Sequence, residues 1–142
     1  MGFSYKLFLL TLGMLAVFGE AEDTMFSGEK LLTGQFLENP PYKLFMQNDC
    51  NLVLYNNGKA LWASNTRGHG DACNILLQNN GNLVMFSGSD VIWSSSSTKG
   101  PNSYRLVVQG DGNVVIYGGA TWATNTQRSS KKLHTKVHIT GA

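Results

Sequence analysis

Three nine-residue stretches of the chain carry one arrangement of polar side chains. They are Gln47-Asn48-Asp49-Cys50-Asn51-Leu52-Val53-Leu54-Tyr55, Gln78 to Phe86 (QNNGNLVMF) and Gln109 to Tyr117 (QGDGNVVIY). Side chains alternate along a strand, so the first stretch would send Gln47, Asp49, Asn51, Val53 and Tyr55 to one face and Asn48, Cys50, Leu52 and Leu54 to the other. The first face is then a row of amide, carboxylate, amide, small apolar group and phenol, about 14 Å long at roughly 3.4 Å per residue. Hydroxyls both donate and accept: Asp49 can accept from one while Asn51 donates to the same oxygen. Gln47 and Tyr55 can reach its neighbours, and Val53 can meet a carbon–hydrogen surface. A pyranose ring fits that set. One copy alone would read equally well as a solvated strand face, but recurrence at a period of 31 residues argues against solubility as the sole reason.

Other chemistry has weaker support. Asp49-x-Asn51 lacks the later bidentate glutamate of a calcium loop. His134 and His138 lie four apart with no Cys or third His beside them, which disfavours zinc and leaves a solvated tail. His69 sits in the turn Arg67-Gly68-His69-Gly70 without a partnered nucleophile, and paired catalytic carboxylates are not apparent. The expectation is a binding protein that is not an enzyme and has neither metal nor cofactor.

The elements that must hold these rows follow the same period. Each copy is followed by a small turn and a tryptophan: Trp62 after Asn57-Gly58, Trp93 after Ser87-Gly88, and Trp122 after Gly118-Gly119 with a two-residue deletion. Then comes a small polar stretch, Ala63-Ser64-Asn65-Thr66, Ser94-Ser95-Ser96-Ser97 or Ala123-Thr124-Asn125-Thr126, read as a strand end and loop. Before each copy lies a strand candidate that runs continuously into it: Tyr42 to Met46, Asn74 to Leu77 and Tyr104 to Val108. Three hairpin units of about 30 residues emerge, and such a unit cannot bury its apolar face alone. They should pack around a common axis with pseudo-threefold symmetry, the tryptophans at the shared centre rather than serving as sugar platforms.

Composition agrees with this reading. The 142 residues suit one compact domain, and low charge (14%) with abundant Gly, Asn, Ser and Thr suits short strands and tight turns rather than long helices. The formal charge is +2, and the basic cluster Arg128, Lys131, Lys132 and Lys136 reads as a solvated tail, so nucleic acid is a poor candidate partner. Near the start, Lys6 precedes an apolar run from Leu7 to Phe18, followed by Gly19-Glu20-Ala21, the pattern of a signal peptide over residues 1–21. That run is too short to cross a bilayer as a helix, so membrane insertion is not expected. The mature chain would begin at Glu22 or Asp23, in the secretory pathway. There Cys50 and Cys73 are permitted one intramolecular bridge, with an intermolecular pair or two free thiols as the alternatives. The mature chain contains no N-glycosylation sequon.

The repeated Q-x-D-x-N-x-V-x-Y pattern, the three tryptophans and the two cysteines resemble the monocot mannose-binding, or bulb-type, lectin family. The resemblance runs from about Asp23 to Thr126 and includes Phe26-Ser27-Gly28 and Leu31-Leu32-Thr33-Gly34. It implies an all-β fold, the β-prism II, with three four-stranded antiparallel sheets about a pseudo-threefold axis, and a Cys50–Cys73 disulfide. It also implies mannose sites at Gln47, Asp49, Asn51, Val53, Tyr55 and at Gln109, Asp111, Asn113, Val115, Tyr117. Asp and Asn would meet the axial 2-hydroxyl, Gln the 3-hydroxyl and Tyr the 4-hydroxyl, with Val against the ring. The middle copy, Gln78, Asn80, Asn82, Val84 and Phe86, has lost the Asp and the Tyr and is expected to be degraded.

Three functions compete at this point. The first is a mannose-specific lectin of plant defence or storage, extracellular or vacuolar, with a homodimer or higher oligomer as an expected assembly. The second is a non-sugar role on the same scaffold, such as protein binding or taste modification, as in relatives with decayed motifs. The third is an enzyme or enzyme inhibitor, for which the residues above offer no constellation. Residues 127–142 would serve as an exchanged C-terminal strand or a removable propeptide.

Overall fold

The computed structural model describes residues 7–9, 16–18, 22–118 and 122–126. The remainder of the leader segment and residues 127–142, with the histidine pair and basic cluster, lie outside the described residues. Strands β1 (Leu7–Leu9) and β2 (Ala16–Phe18) pair antiparallel as a separate two-stranded sheet. Cleavage after residue 21 is not something this pairing bears on.

The rest forms three four-stranded antiparallel sheets. The first is a continuous meander, β5 (Phe36–Asn39), β6 (Tyr42–Met46), β7 (Leu52–Asn56) and β8 (Lys59–Ala63). The second joins β9 (Asn74–Leu77), β10 (Leu83–Ser87) and β11 (Asp90–Ser94) to the distant β4 (Lys30–Leu31). The third joins β12 (Arg105–Val108), β13 (Val114–Tyr117) and β14 (Trp122–Ala123) to β3 (Thr24–Phe26). The repeat thus supplies three strands per sheet, and residues 24–39 supply the fourth strand of each in turn. Met25, Leu31 and Leu37, one from each of β3, β4 and β5, are fully buried at 0–1% exposure and anchor this strap.

The core is the inner face of the three sheets, with Leu44, Met46, Leu52, Leu54, Ile75, Leu77, Leu83, Met85, Leu106, Val108, Val114 and Ile116 buried. Burying a Leu or Ile side chain is worth about 1.5–3 kcal/mol, so these alternating positions dominate the stabilisation. Leu54, Met85 and Ile116 pair across strands with Trp62, Trp93 and Trp122, which puts the indoles on the core face. The three rings meet edge to face around the axis, with centroids 5.5–5.9 Å apart. A register shift after Leu54 and after Met85 gives the tryptophan strand one extra residue in each of those sheets, the device by which a bulge re-aims a side chain.

The pseudo-symmetry extends to a set of latches between units. Each motif turn carries a positive-φ residue at its fourth position: Cys50 (φ 66), Gly81 (φ 86) and Gly112 (φ 85). Five residues before each motif glutamine stand Tyr42, Cys73 and Tyr104. Cys50 bonds to Cys73 with Cα atoms 5.3 Å apart, which closes the question left open between one internal bridge and its alternatives. In the other two joints a buried tyrosine ring packs closely against a glycine. A Cβ on Gly81 would fall 2.9 Å from Tyr104, and one on Gly112 would fall 2.8 Å from Tyr42. Each turn is therefore clamped to the next unit, once covalently and twice by an aromatic ring.

Candidate functional site

The first motif is built differently from a continuous strand. β6 and β7 are joined by a tight hairpin: Gln47 N–H donates to Asn51 O at 3.0 Å and Cys50 N–H to Gln47 O at 3.2 Å. Residues 47–51 are therefore turn, and strand alternation holds only from Leu52. The turn gathers the polar side chains more tightly than a strand would. Asp49 Oδ1 accepts from the Asn51 N–H at 3.0 Å, and Gln47 Nε2 donates to both Asp49 oxygens at 3.1 and 3.2 Å. The Tyr55 hydroxyl donates to Gln47 Oε1, so phenol, amide and carboxylate form one chain. Val53 departs from the open row expected of it: it is 3% exposed, seated between Phe45 and Ala63 on the neighbouring strands. Val115, at 6%, is likewise nearly covered.

A second layer, which the residue pattern did not single out, fixes the asparagine. Asn51 Oδ1 accepts from Ser64 Oγ at 3.2 Å and from Thr66 N–H at 3.3 Å. Ser64 Oγ accepts from Leu52 N–H at 3.0 Å and contacts Thr66 Oγ1 at 2.7 Å, while Thr66 Oγ1 donates to Cys50 O. With Oδ1 consumed inward, the amide is oriented so that Nδ2 is the end available as a donor. Asn65 between them sits at φ 57, as do Ser96 and Asn125 at 52 and 56 in the other copies. A hydroxyl residue on either side of that left-handed position, at the same offset after every tryptophan, was the available signal.

The third motif reproduces the first. Gln109 Nε2 donates to Asp111 Oδ1 at 3.1 Å, Asn113 N–H to the same oxygen at 3.0 Å, and the Tyr117 hydroxyl to Gln109 Oε1. Thr124 and Thr126 hold Asn113 Oδ1 as Ser64 and Thr66 hold Asn51. One difference is electrostatic. Arg67 Nε lies 3.8 Å from Asp49 Oδ2, a loose pair with an 83% exposed arginine side chain, whereas Asp111 has no ion pair among the described residues. Such an exposed pair contributes little to stability.

The middle motif keeps the frame and loses two functional groups. Asn80 Oδ1 accepts from Asn82 N–H at 3.0 Å, and Ser95 and Ser97 hold Asn82 Oδ1 at 3.2 Å each. The carboxylate is replaced by an amide and the phenol by the Phe86 ring. The Cys50 and Cys73 side chains form the latch beside the first site, while the Cys50 backbone belongs to the turn itself. Among the described residues, no group of three or more His, Cys, Asp or Glu is placed to hold a metal ion.

Three antiparallel sheets around a tryptophan axis, each with the same strand-joining turn and two of them carrying the amide-carboxylate-amide-phenol constellation, define a module of the β-prism class. No protein-family model matches the chain. Among solved structures, a monomeric monocot mannose-binding lectin from Gastrodia elata is 44% identical with a TM-score of 0.73, covering 75% of this chain and 99% of its own. The snowdrop (Galanthus nivalis) mannose-specific agglutinin, solved with methyl α-D-mannoside, is 42% identical with a TM-score of 0.67, covering 76% and 100%. This chain belongs to the monocot mannose-binding, bulb-type lectin family. Curated relatives include the mannose-specific lectin of Dendrobium findlayanum, 42% identical over 72 residues, which are 51% of this chain and 43% of that protein. Curculin-2 of Molineria latifolia is 40% identical over 67 residues, 47% of this chain and 42% of that protein. The chain spans about half the length, or less, of the curated relatives it matches.

Proposed function

We propose that the protein is a mannose-binding lectin that takes terminal α-mannose at two sites, Gln47/Asp49/Asn51/Val53/Tyr55 and Gln109/Asp111/Asn113/Val115/Tyr117. The observation that carries this reading is the identical hydrogen-bonded chain of phenol, amide, carboxylate and backbone amide in the first and third copies. Each site offers acceptors on Asp and Tyr and an outward donor on Asn, the complement of vicinal hydroxyls. The mannose specificity of the relatives supports the choice of sugar. Such shallow sites bind weakly one at a time, so useful affinity would come from several engaging one glycan, and oligomerisation would multiply it.

The middle site should bind mannose at least about tenfold more weakly. It has lost a charge-assisted acceptor worth about 1.5–3 kcal/mol and a phenol hydrogen bond worth about 1 kcal/mol. Residues 1–21 act in this reading as a signal peptide, delivering the lectin to the extracellular space or the vacuole for defence or storage. Residues 127–142 serve as an exchanged strand or a removable propeptide.

The test is calorimetric titration of the mature chain with methyl α-mannoside beside Asp49→Ala, Asp111→Ala and the double variant. Stepwise loss, complete in the double variant, is expected. Absence of binding by folded wild type would remove the lectin reading and promote a protein-binding role, the second reading, which the likeness to Curculin-2 keeps in play.

A further inference from the structure

We infer that the third-copy site has an anion-binding flank which the first lacks, and that it favours mannosides carrying a phosphate or carboxylate at C6. This rests on the proposed mannose reading and extends it. The argument comes from comparing the strand rows that run away from the two tyrosines. Residues paired across antiparallel strands point to the same face. In the first sheet that row is Tyr55, Lys43 and Glu38 on β7, β6 and β5. In the third it is Tyr117, Arg105 and Phe26 on β13, β12 and β3.

The two cations sit in different electrostatic settings. Lys43 Nζ lies 3.2 Å from Glu38 Oε2 and 4.4 Å from the Phe36 ring centroid, so its charge is met within the row. Arg105 has Phe26 where Lys43 has Glu38. Its guanidinium lies 5.0 Å from the centroid of the Tyr117 ring, and among the described residues it has no carboxylate partner. Glu29, in the turn three residues after Phe26, folds its carboxylate back to accept the Phe26 N–H at 2.8 Å. Phe26 is 51% exposed, a large apolar side chain left on the surface beside a binding site. A guanidinium over an aromatic ring, with an apolar residue in place of an acid across the strand, keeps its forked N–H donors for a third party. The middle sheet has Asn74 opposite Phe86, so the cation directly across from the tyrosine in the other two copies is replaced there by an amide.

The position of the anion on the sugar follows from ring geometry. With the motif tyrosine at the 4-hydroxyl, the C6 substituent is the neighbouring group on the pyranose and lies towards the row beyond the phenol. In the third site that row begins with Arg105. A C6 phosphate or carboxylate would therefore reach a bidentate donor there and meet a neutralised pair at the first site.

The experiment titrates Asp49→Ala, which retains the third site, and Asp111→Ala, which retains the first. The probes are methyl α-mannoside, its 6-phosphate and methyl α-mannosiduronate, each at low and raised salt. The expected result is about tenfold tighter binding of an anionic probe than of the neutral one to Asp49→Ala, shrinking as salt screens the contact, with no such gain on Asp111→Ala. Adding Phe26→Glu, which supplies the missing acid, should erase the gain while methyl α-mannoside still binds. Arg105→Ala should do the same. A gain from one anionic probe alone identifies the group preferred. Equal affinity of all three probes for Asp49→Ala overturns the inference with the mannose reading intact. Failure of methyl α-mannoside to bind either folded variant overturns both.

Discussion

At the scale of single residues, the proposed binding rows are only as good as the groups that aim them. Asn51 can donate outward because Ser64 and Thr66 occupy its oxygen. Replacing Thr66 with Val removes the hydroxyl that bridges Cys50 O and Ser64. It leaves a buried carbonyl short of a partner, at a cost of about 1–3 kcal/mol. Thr66→Val should lower the melting temperature and weaken methyl α-mannoside binding at the first site while sparing the third, which titration of the Asp111→Ala background against the Asp49→Ala background will read. The middle copy gives the converse prediction. Its asparagine is already held by Ser95 and Ser97, so the frame lacks only the carboxylate and the phenol. The pair Asn80→Asp with Phe86→Tyr should raise the calorimetric stoichiometry from two sites per chain towards three, and an unchanged stoichiometry would show that the frame is not equivalent.

At the scale of elements, the turn is the organising unit. The motif gathers its polar side chains because its first half folds back on itself, and that requires a left-handed residue at the fourth position. Glycine fills it in two copies and cysteine in one. Alanine at Gly81 or Gly112 would meet strain at φ near +85 and a tyrosine ring closer than 3 Å. Each substitution should destabilise by about 2–3 kcal/mol, seen as a lower thermal midpoint. The same change at Gly58, where a Cβ meets nothing within 4 Å, should cost less, since only the backbone conformation is strained. Equal losses at all three positions would contradict the latch.

At the scale of the whole molecule, three separate devices close the prism: the strap of residues 24–39, the indole centre and the ring of latches. The disulfide is the covalent latch and spans a sequence separation of 23 residues. Its reduction should lower stability by about 3 kcal/mol in the loop-entropy description, measured as a shift of the denaturant midpoint. Trp62 touches both other indoles, so Trp62→Ala should cost about 3–5 kcal/mol and weaken both intact sites together, unlike any change within one motif. Independent behaviour of the two sites in that variant would show that the centre does not couple them.

The 31-residue period, the alternation of Leu52 and Leu54 and the tryptophan after each turn were sufficient to determine three β units, their shared centre and the residues of each polar row. These are local or repetitive properties, and repetition lets one copy be checked against another. Other features depended on the tertiary structure. The motif's first half reads as strand because Asp49 and Asn51 alternate with Asn48 and Cys50, yet the hydrogen bonds between Gln47 and Asn51 make it a turn. Residues 24–39 share no period with the repeat, so nothing in their pattern says that β3, β4 and β5 complete three different sheets. Ser64 and Thr66 read as ordinary loop polarity until the backbone curves them under Asn51. The unlike surroundings of Lys43 and Arg105 arise because Lys43 pairs with Glu38 across a local hairpin, whereas Arg105 pairs with Phe26, far away along the chain. Register between distant strands is set by burying Met25, Leu31 and Leu37 together, a many-body packing condition that no single segment encodes.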